Sequence, residues 1–285
     1  MFKEIMYKTA GAAIVLAMVT ACGNNTSEST QANELLSEAQ KCIEANDPAK
    51  AFALIDSINK TFPKELEIRR NAMHLQTIAD SMTIAKEIVS ADSTIKADSI
   101  VYQNLKPLFT FVKTKDMVEG YYVVSSLGKN ALYEKTGIEP RIDENGNAYV
   151  VSCHFGPAIS HTSLTARTAG GSARTGAIPF DGASNYRYGS GSATCEMVTF
   201  HADKCADFMK FIADNADSSI QIDFIGKSKA TMRLSRELAK AFQATYQYAQ
   251  AMQSGKNAYA KRVYLDKKRE LNRKQMARTA AEANK

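Results

Sequence analysis

The chain has 285 residues, with 36 Lys and Arg against 30 Asp and Glu, five Cys, no Trp and 45% apolar positions. That balance excludes a collagen-like, wholly disordered or densely disulfide-stapled protein, and it is enough for one or two domains with a sizeable core. No G-x-S-x-G, H-E-x-x-H, P-loop or dinucleotide fingerprint occurs, so no catalytic residue, cofactor or metal ligand is assigned from motifs, and a noncatalytic role is expected.

Residues 1–21 open with Lys3 and Lys8 and then run apolar and small from Ala10 to Ala21, the length of an export-signal core and too short to span a membrane comfortably. The run ends in Val19-Thr20-Ala21-Cys22, which resembles the lipobox of bacterial lipoproteins. The resemblance implies cleavage before Cys22, a diacylglycerol on its sulfur and a mature chain tethered to the membrane by lipid alone. An uncleaved anchor, or a plain signal followed by a chance Cys, is the alternative. Gly23 after the Cys, with Glu28 the one charge among the next residues, implies the periplasmic side of the outer membrane, and surface display is a second outcome.

Residues 22–30 are rich in Asn, Ser and Thr and predict a flexible tether, with the first helix starting near Gln31. Leu35, Ala39, Cys42 and Ile43 recur at helical spacing, Asn46-Asp47-Pro48 supplies a turn, and Ala51, Leu54, Ile55 and Ile58 line a second helix, so an antiparallel helical hairpin is expected. Leu35, Ala39, Ala51, Ile55 and Pro63 resemble one tetratricopeptide repeat, with departures at Glu38, Cys42 and Ile58 and no second copy. A lone repeat implies a packing unit rather than a peptide-binding solenoid. The Asp-Ser-Ile, Asp-Ser-Met, Asp-Ser-Thr and Asp-Ser-Ile triplets beginning at Asp56, Asp80, Asp92 and Asp98 resemble an O-glycosylation acceptor of exported proteins, although Thr94 departs from the apolar third position.

From Pro63 on, Ile68, Ala72, Leu75, Ala79 and Met82, continued by Ile78, Ala85 and Val89, predict a long helix to about Gln103, completing a helical segment over 31–104. Leu234, Leu238, Ala241, Thr245, Tyr248 and Met252 repeat the four-three spacing over 235–285, with Ser235 placed to cap and the pattern fading after Leu265. These two helices are expected to pair antiparallel as a stalk. Residues 28–104 hold 12 acidic and eight basic side chains, whereas 255–285 hold ten basic and three acidic ones, which suits that pairing.

The stretch 107–234 changes period. Tyr149, Val151, Cys153 and Phe155, then Ile220, Ile222 and Phe224, alternate like half-buried strands; Glu144 to Asn147 and Gly226-Lys227-Ser228 signal hairpin turns; Cys205, Phe208, Met209 and Ile212 form a helical stripe. An inserted β-rich head domain follows, making the fold α+β. Residues 169–194, rich in Gly and Ser with Tyr186 and Tyr188 embedded, predict long loops or a mobile hairpin suited to binding.

Cys153, His154, His161, Cys195, His201 and Cys205 all lie in this head, but their spacing fits no zinc finger, and Cys153 and His154 should point to opposite faces of one strand. Cys153 or Ser160 beside His161 is the one arguable nucleophilic start. With Cys22 lipidated, four thiols remain; Cys153 with Cys195 is the first pairing to expect, Cys42 belongs to the helical core, and a free buried pair is the alternative. Basic residues from Lys256 to Arg278 could meet anionic lipid or the acidic helix, or form a solvated face; no nucleic-acid partner is expected. The layout as a whole resembles function-unassigned envelope lipoproteins of Gram-negative bacteria. That resemblance implies a lipid-anchored module whose head binds a protein or glycan, with a Cys/His-based or metal-dependent enzyme, or a plain spacer, as rivals.

Overall fold

The computed structural model describes residues 25–115, 117–128 and 132–283. Cys22 and the 1–21 export segment lie outside them. The fold is α+β, and its described residues divide into two compact units, one ending at Thr83 and completed by residues from Glu270 on, the other running from Ile84 to Arg269. This division differs from the three-part split expected at 104 and 235, because each long helix contributes to both units.

In the first unit, helices α1 (Asn25–Glu44) and α2 (Pro48–Thr61) form the expected hairpin. Asn46 turns the chain in a left-handed conformation (φ 59), Asp47 accepts a hydrogen bond from the Lys50 N–H at 3.1 Å, and Pro48 occupies the first turn, where its missing N–H costs nothing. Ala39, Cys42, Ala51, Ile55 and Ile58 pack on Ile68, Ala72 and Ala79 of helix α3 (Leu66–Leu105). Of the expected tether at 22–30, residues 22–24 lie outside the described residues, and from Asn25 on the chain is helical, with Glu28 in the first turn, where an acidic side chain suits the helix dipole.

The antiparallel pairing of α3 with helix α5 (Arg236–Ala283) is present within each unit. In the first unit Asn272 donates to the Thr77 carbonyl at 3.0 Å and His74 Nδ1 meets Thr279 Oγ1 at 3.1 Å. In the second, Ile84 and Ile88 pack on Leu265, and Arg262 donates to Asp92 at 2.8 Å. Two expectations change here. The α5 helix continues to Ala283 instead of fading after Leu265. The seam of α3 is carried by Ile84, Ile88 and Ala91, one position away from the expected Ala85 and Val89, and Val89 is 69% exposed. The four-three pattern over Ile68 to Ala79 marks the face toward the hairpin, whereas α5 is met by a different face that includes His74 and Thr77.

The second unit carries all ten described strands in two antiparallel sheets. The larger has the order β1 (Phe109–Val112), β2 (Tyr121–Val124), β3 (Gly137–Asp143), β4 (Ala148–Gly156), β8 (Ala193–Phe200), β7 (Asn185–Ser190); the smaller has the order β10 (Lys229–Arg233), β9 (Gln221–Ile225), β5 (Ser163–Thr168), β6 (Gly171–Arg174). The turn at Glu144 to Asn147 closes β3 onto β4, with Gly146 at φ 88. Val150, Val198 and Phe200 from the larger sheet, Leu164, Ile222 and Phe224 from the smaller, Phe208, Met209 and Ile212 from helix α4 (Ala202–Asp214), and Phe242 from α5 form one core. Each wholly buried aromatic side chain in it contributes about 2–3 kcal/mol of transfer free energy. Residues 169–194, expected as long loops or a mobile hairpin, contain both kinds of structure: β6 and the β7–β8 hairpin take up part of the stretch, the segment between β6 and β7 carries no strand, and Tyr186 and Tyr188 sit on β7, paired in register with Met197 and Cys195. Gly and Ser lowered the strand signal, but β8 supplies the ladder that holds β7 in place.

Candidate functional site

Alternation along β4, β8 and β7 sends two sets of side chains to opposite faces of the larger sheet. On the inner face the register sets His154 opposite Glu196 and Glu196 opposite Arg187, with Ser152 and Asn185 in the next row, both opposite Val198. His161, on the segment entering β5, completes the group: its Nδ1 lies 2.9 Å from Glu196 Oε2 and its Nε2 lies 2.9 Å from Ser152 Oγ.

The carboxylate of Glu196 also accepts the backbone N–H groups of Ile159, Ser160 and His161 at 3.0, 2.7 and 2.9 Å. Three successive N–H groups converge because Ser160 is left-handed (φ 57), which folds the backbone into an anion-holding nest. The turn is pressed against Gly226, where any Cβ would stand 2.3 Å from the Ile159 carbonyl oxygen, so only glycine fits the β9–β10 turn there. Burial pulls the Glu196 carboxyl upward, but the N–H groups of His161 and Ser160 and the His161 ring outweigh it and hold it below the usual range. Glu196 is therefore an anion acceptor, His161 Nδ1 carries the proton, and Nε2 accepts the Ser152 hydroxyl.

Nucleophile, base and orienting carboxylate stand in the order and at the distances of a hydrolytic triad. Their setting does not match one. Ser152, His161 and Glu196 each have 0% exposed surface, and the nearby N–H groups that could stabilise an oxyanion are spent on Glu196. As folded, the arrangement clamps the 159–161 turn onto β8. Cys153 and Ser160 were the expected starts of a nucleophilic pair; the hydroxyl that meets the His161 ring is that of Ser152, nine residues earlier, while Ser160 gives its backbone N–H to Glu196. Glu196 was the legible clue, a charge on the same strand phase as Val198 and Phe200.

Burial lowers the affinity of His161 for a proton more than Glu196 raises it, so the folded protein keeps this ring neutral below its ordinary value of 6.5. The unfolded chain takes up that proton near 6.5. Below that pH the unfolded state binds more protons than the native one, so stability is complete above it and falls as the pH drops. Urea midpoints at pH 7.5 and 5.5 should show a larger acid-side loss for the native protein than for His161→Asn. Equal losses would contradict a neutral buried ring.

The outer face of the same sheet is open and chemically mixed. A concavity of about 530 Å³ is lined by Tyr121, Arg141, Asp143, Tyr149, Thr199 and His201 among others. The Arg141 guanidinium lies 4.1 Å above the Tyr121 ring and donates to Glu139 at 2.5 Å. The Tyr149 and His201 rings stack at 6.1 Å, and burial, partly offset by Arg141, pushes the Tyr149 hydroxyl up to about 12. Farther along, Tyr186 and Tyr188 stack at 6.4 Å. Ring faces, a held guanidinium and an acidic turn together suit sugar rings or a polar peptide.

The expected Cys/His set is dispersed: Cys153 and Cys195 lie on the outer side, His154 and His161 on the inner side, His201 at the start of α4, and Cys205 in the core beneath. Among the described residues no group of three His, Cys, Asp or Glu is placed to hold a metal ion. Cys42 packs in the hairpin core. The basic run on α5 is partly neutralised, since Arg262 meets Asp92 and Asp266, Arg269 meets Asp266, and Lys274 meets Glu270. Such exposed pairs contribute only tenths of a kcal/mol, so they favour register more than stability. The four Asp-Ser triplets lie on α2 and α3. No described helix is long and apolar enough to cross a membrane. Compared with protein families, curated proteins and solved structures, the chain matches none of them.

Proposed function

We propose that this protein is a noncatalytic, lipid-anchored module of the cell envelope whose β-rich domain engages a protein or glycan through the outer face of its larger sheet. The observation that carries the reading is the open concavity with Tyr121, Arg141, Tyr149 and His201 in its wall, aromatic and cationic groups held in place by stacking and ion pairing. The lipid anchor rests on the resemblance of Val19-Thr20-Ala21-Cys22 to a lipobox. It predicts an acylated Cys22 at the mature N-terminus, which the intact mass of membrane-extracted protein tests beside a Cys22→Ala version.

Binding to an oligosaccharide array and to detergent-solubilised envelope proteins tests the surface. Tyr149→Ala/His201→Ala should weaken any captured interaction tenfold or more, about 1.4 kcal/mol, while Lys227→Ala/Arg233→Ala on the smaller sheet leaves it unchanged. Binding indifferent to the first pair would remove the outer face from the proposal. A second reading, a hydrolase, draws on the Ser152–His161–Glu196 geometry. It requires this group to open to solvent, and it predicts covalent labelling of Ser152 by a fluorophosphonate probe, absent in Ser152→Ala.

A further inference from the structure

We propose that Cys153 and Cys195 are an oxidisable pair that closes into a disulfide between β4 and β8, beneath the tyrosines of the binding face. The two sulfurs lie 3.0 Å apart on neighbouring strands. Cys153 is in register with Met197 and Cys195 with Phe155, so the two thiols are diagonal neighbours on one face, and a bond of about 2.05 Å needs a further approach of only about 1 Å. Of the other described cysteines, Cys42 packs in the hairpin core and Cys205 lies in the core on the opposite side of the sheet from the pair. Leu132, Val151, Phe155 and Met197 pack around the pair, and Tyr188, opposite Cys195 on β7, brings its hydroxyl to the same sulfur.

The step is thiol–disulfide exchange with an oxidant that is itself a disulfide, either a small one or that of an oxidoreductase. A thiolate of one cysteine attacks a sulfur of the oxidant, breaking its S–S bond and expelling one thiolate. The second cysteine's thiolate then attacks the protein-side sulfur of the mixed disulfide, forming the Cys153–Cys195 bond and expelling the other. Two electrons pass to the oxidant, which leaves as two thiols, and the two cysteine protons are given up to solvent and taken by those products. Both cysteines are wholly buried in the fold, and burial raises the Cys153 thiol far above its ordinary value. Closure therefore belongs to folding, while β4 and β8 are still pairing, and the finished bond is shielded from reductants. The pairing does not depend on the envelope reading, which supplies only the oxidising compartment.

The full chain, refolded in a mixture of oxidised and reduced glutathione, is denatured, trapped with N-ethylmaleimide without reductant and mapped by digestion. The expected result is a cross-linked pair of peptides containing Cys153 and Cys195, a mass lower by two hydrogens, and alkylated Cys42 and Cys205. Quantitative alkylation of Cys153 and Cys195, or a cross-link from either one to Cys22, Cys42 or Cys205, would overturn it. The outcome is independent of acylation at Cys22 and of partner capture, so failure here and failure of the binding-module reading are told apart.

Discussion

Replacing Glu196 with Ala should cost about 3–5 kcal/mol of folding stability, because one side chain satisfies four donors in a place that water does not reach. The Ala variant leaves the Ile159, Ser160 and His161 N–H groups without their acceptor and leaves the Arg187 guanidinium, 3.9 Å from Glu196 in the native fold, without its anion. Glu196→Gln should cost less, about 1–3 kcal/mol, since its carbonyl oxygen still accepts while its amide turns donors toward donors. Urea unfolding followed by far-UV circular dichroism at neutral pH measures both. The ordering matters for function as well as stability. If Glu196→Ala folds with a loss under about 1 kcal/mol, the carboxylate is not the fastener of the turn, and the hydrolase reading of the Ser152–His161 pair gains.

The contrast between what was and was not legible follows from the range of each signal. Helix α4 was readable because Cys205, Phe208, Met209 and Ile212 fall on one stripe within two turns, and β4 was readable because four alternate residues from Tyr149 to Phe155 mark a face. Both are local patterns. Strand β7 was not readable, since Asn185 to Ser190 has weak intrinsic strand preference and owes its form to pairing with β8. The inner site shows the same division more sharply. Alternation says that Ser152 and Glu196 face inward on their strands, but a separation of 44 positions hides that His161 joins them. The outer concavity draws on β2, β3, β4 and β8 together with the start of α4, and no short window of sequence contains it. The thiol pair was nearer to legible, because Cys153 and Cys195 could be placed on strands of one domain; their diagonal register could not.

The second large effect is expected at Tyr248, where helix packing and sheet packing meet inside the second unit. Its ring has no exposed surface, stacks on Phe109 at 4.6 Å and on Tyr102 at 5.1 Å, and meets the edge of Tyr122 at 6.2 Å. Those partners come from β1, α3 and β2, so one side chain of α5 ties the returning helix to both the outgoing helix and the sheet edge. Tyr248→Ala removes the whole ring from a site lined by other rings, which cannot collapse onto the space without giving up their own stacking. The expected loss is about 3–5 kcal/mol, the range for truncating a buried aromatic. Tyr248→Phe keeps the ring and gives up only the hydroxyl's hydrogen bond with Tyr102, for about 1 kcal/mol. Urea unfolding gives the two magnitudes, and amide exchange locates them: in Tyr248→Ala, protection should fall first in Phe109 to Val112 and Tyr121 to Val124, while the sheet centre at Val150 and Val198 keeps its own. A uniform loss across both sheets would mean that the aromatic cluster and the two-sheet core unfold as one cooperative block, and that the β1–β2 edge is not held independently by the helix pair.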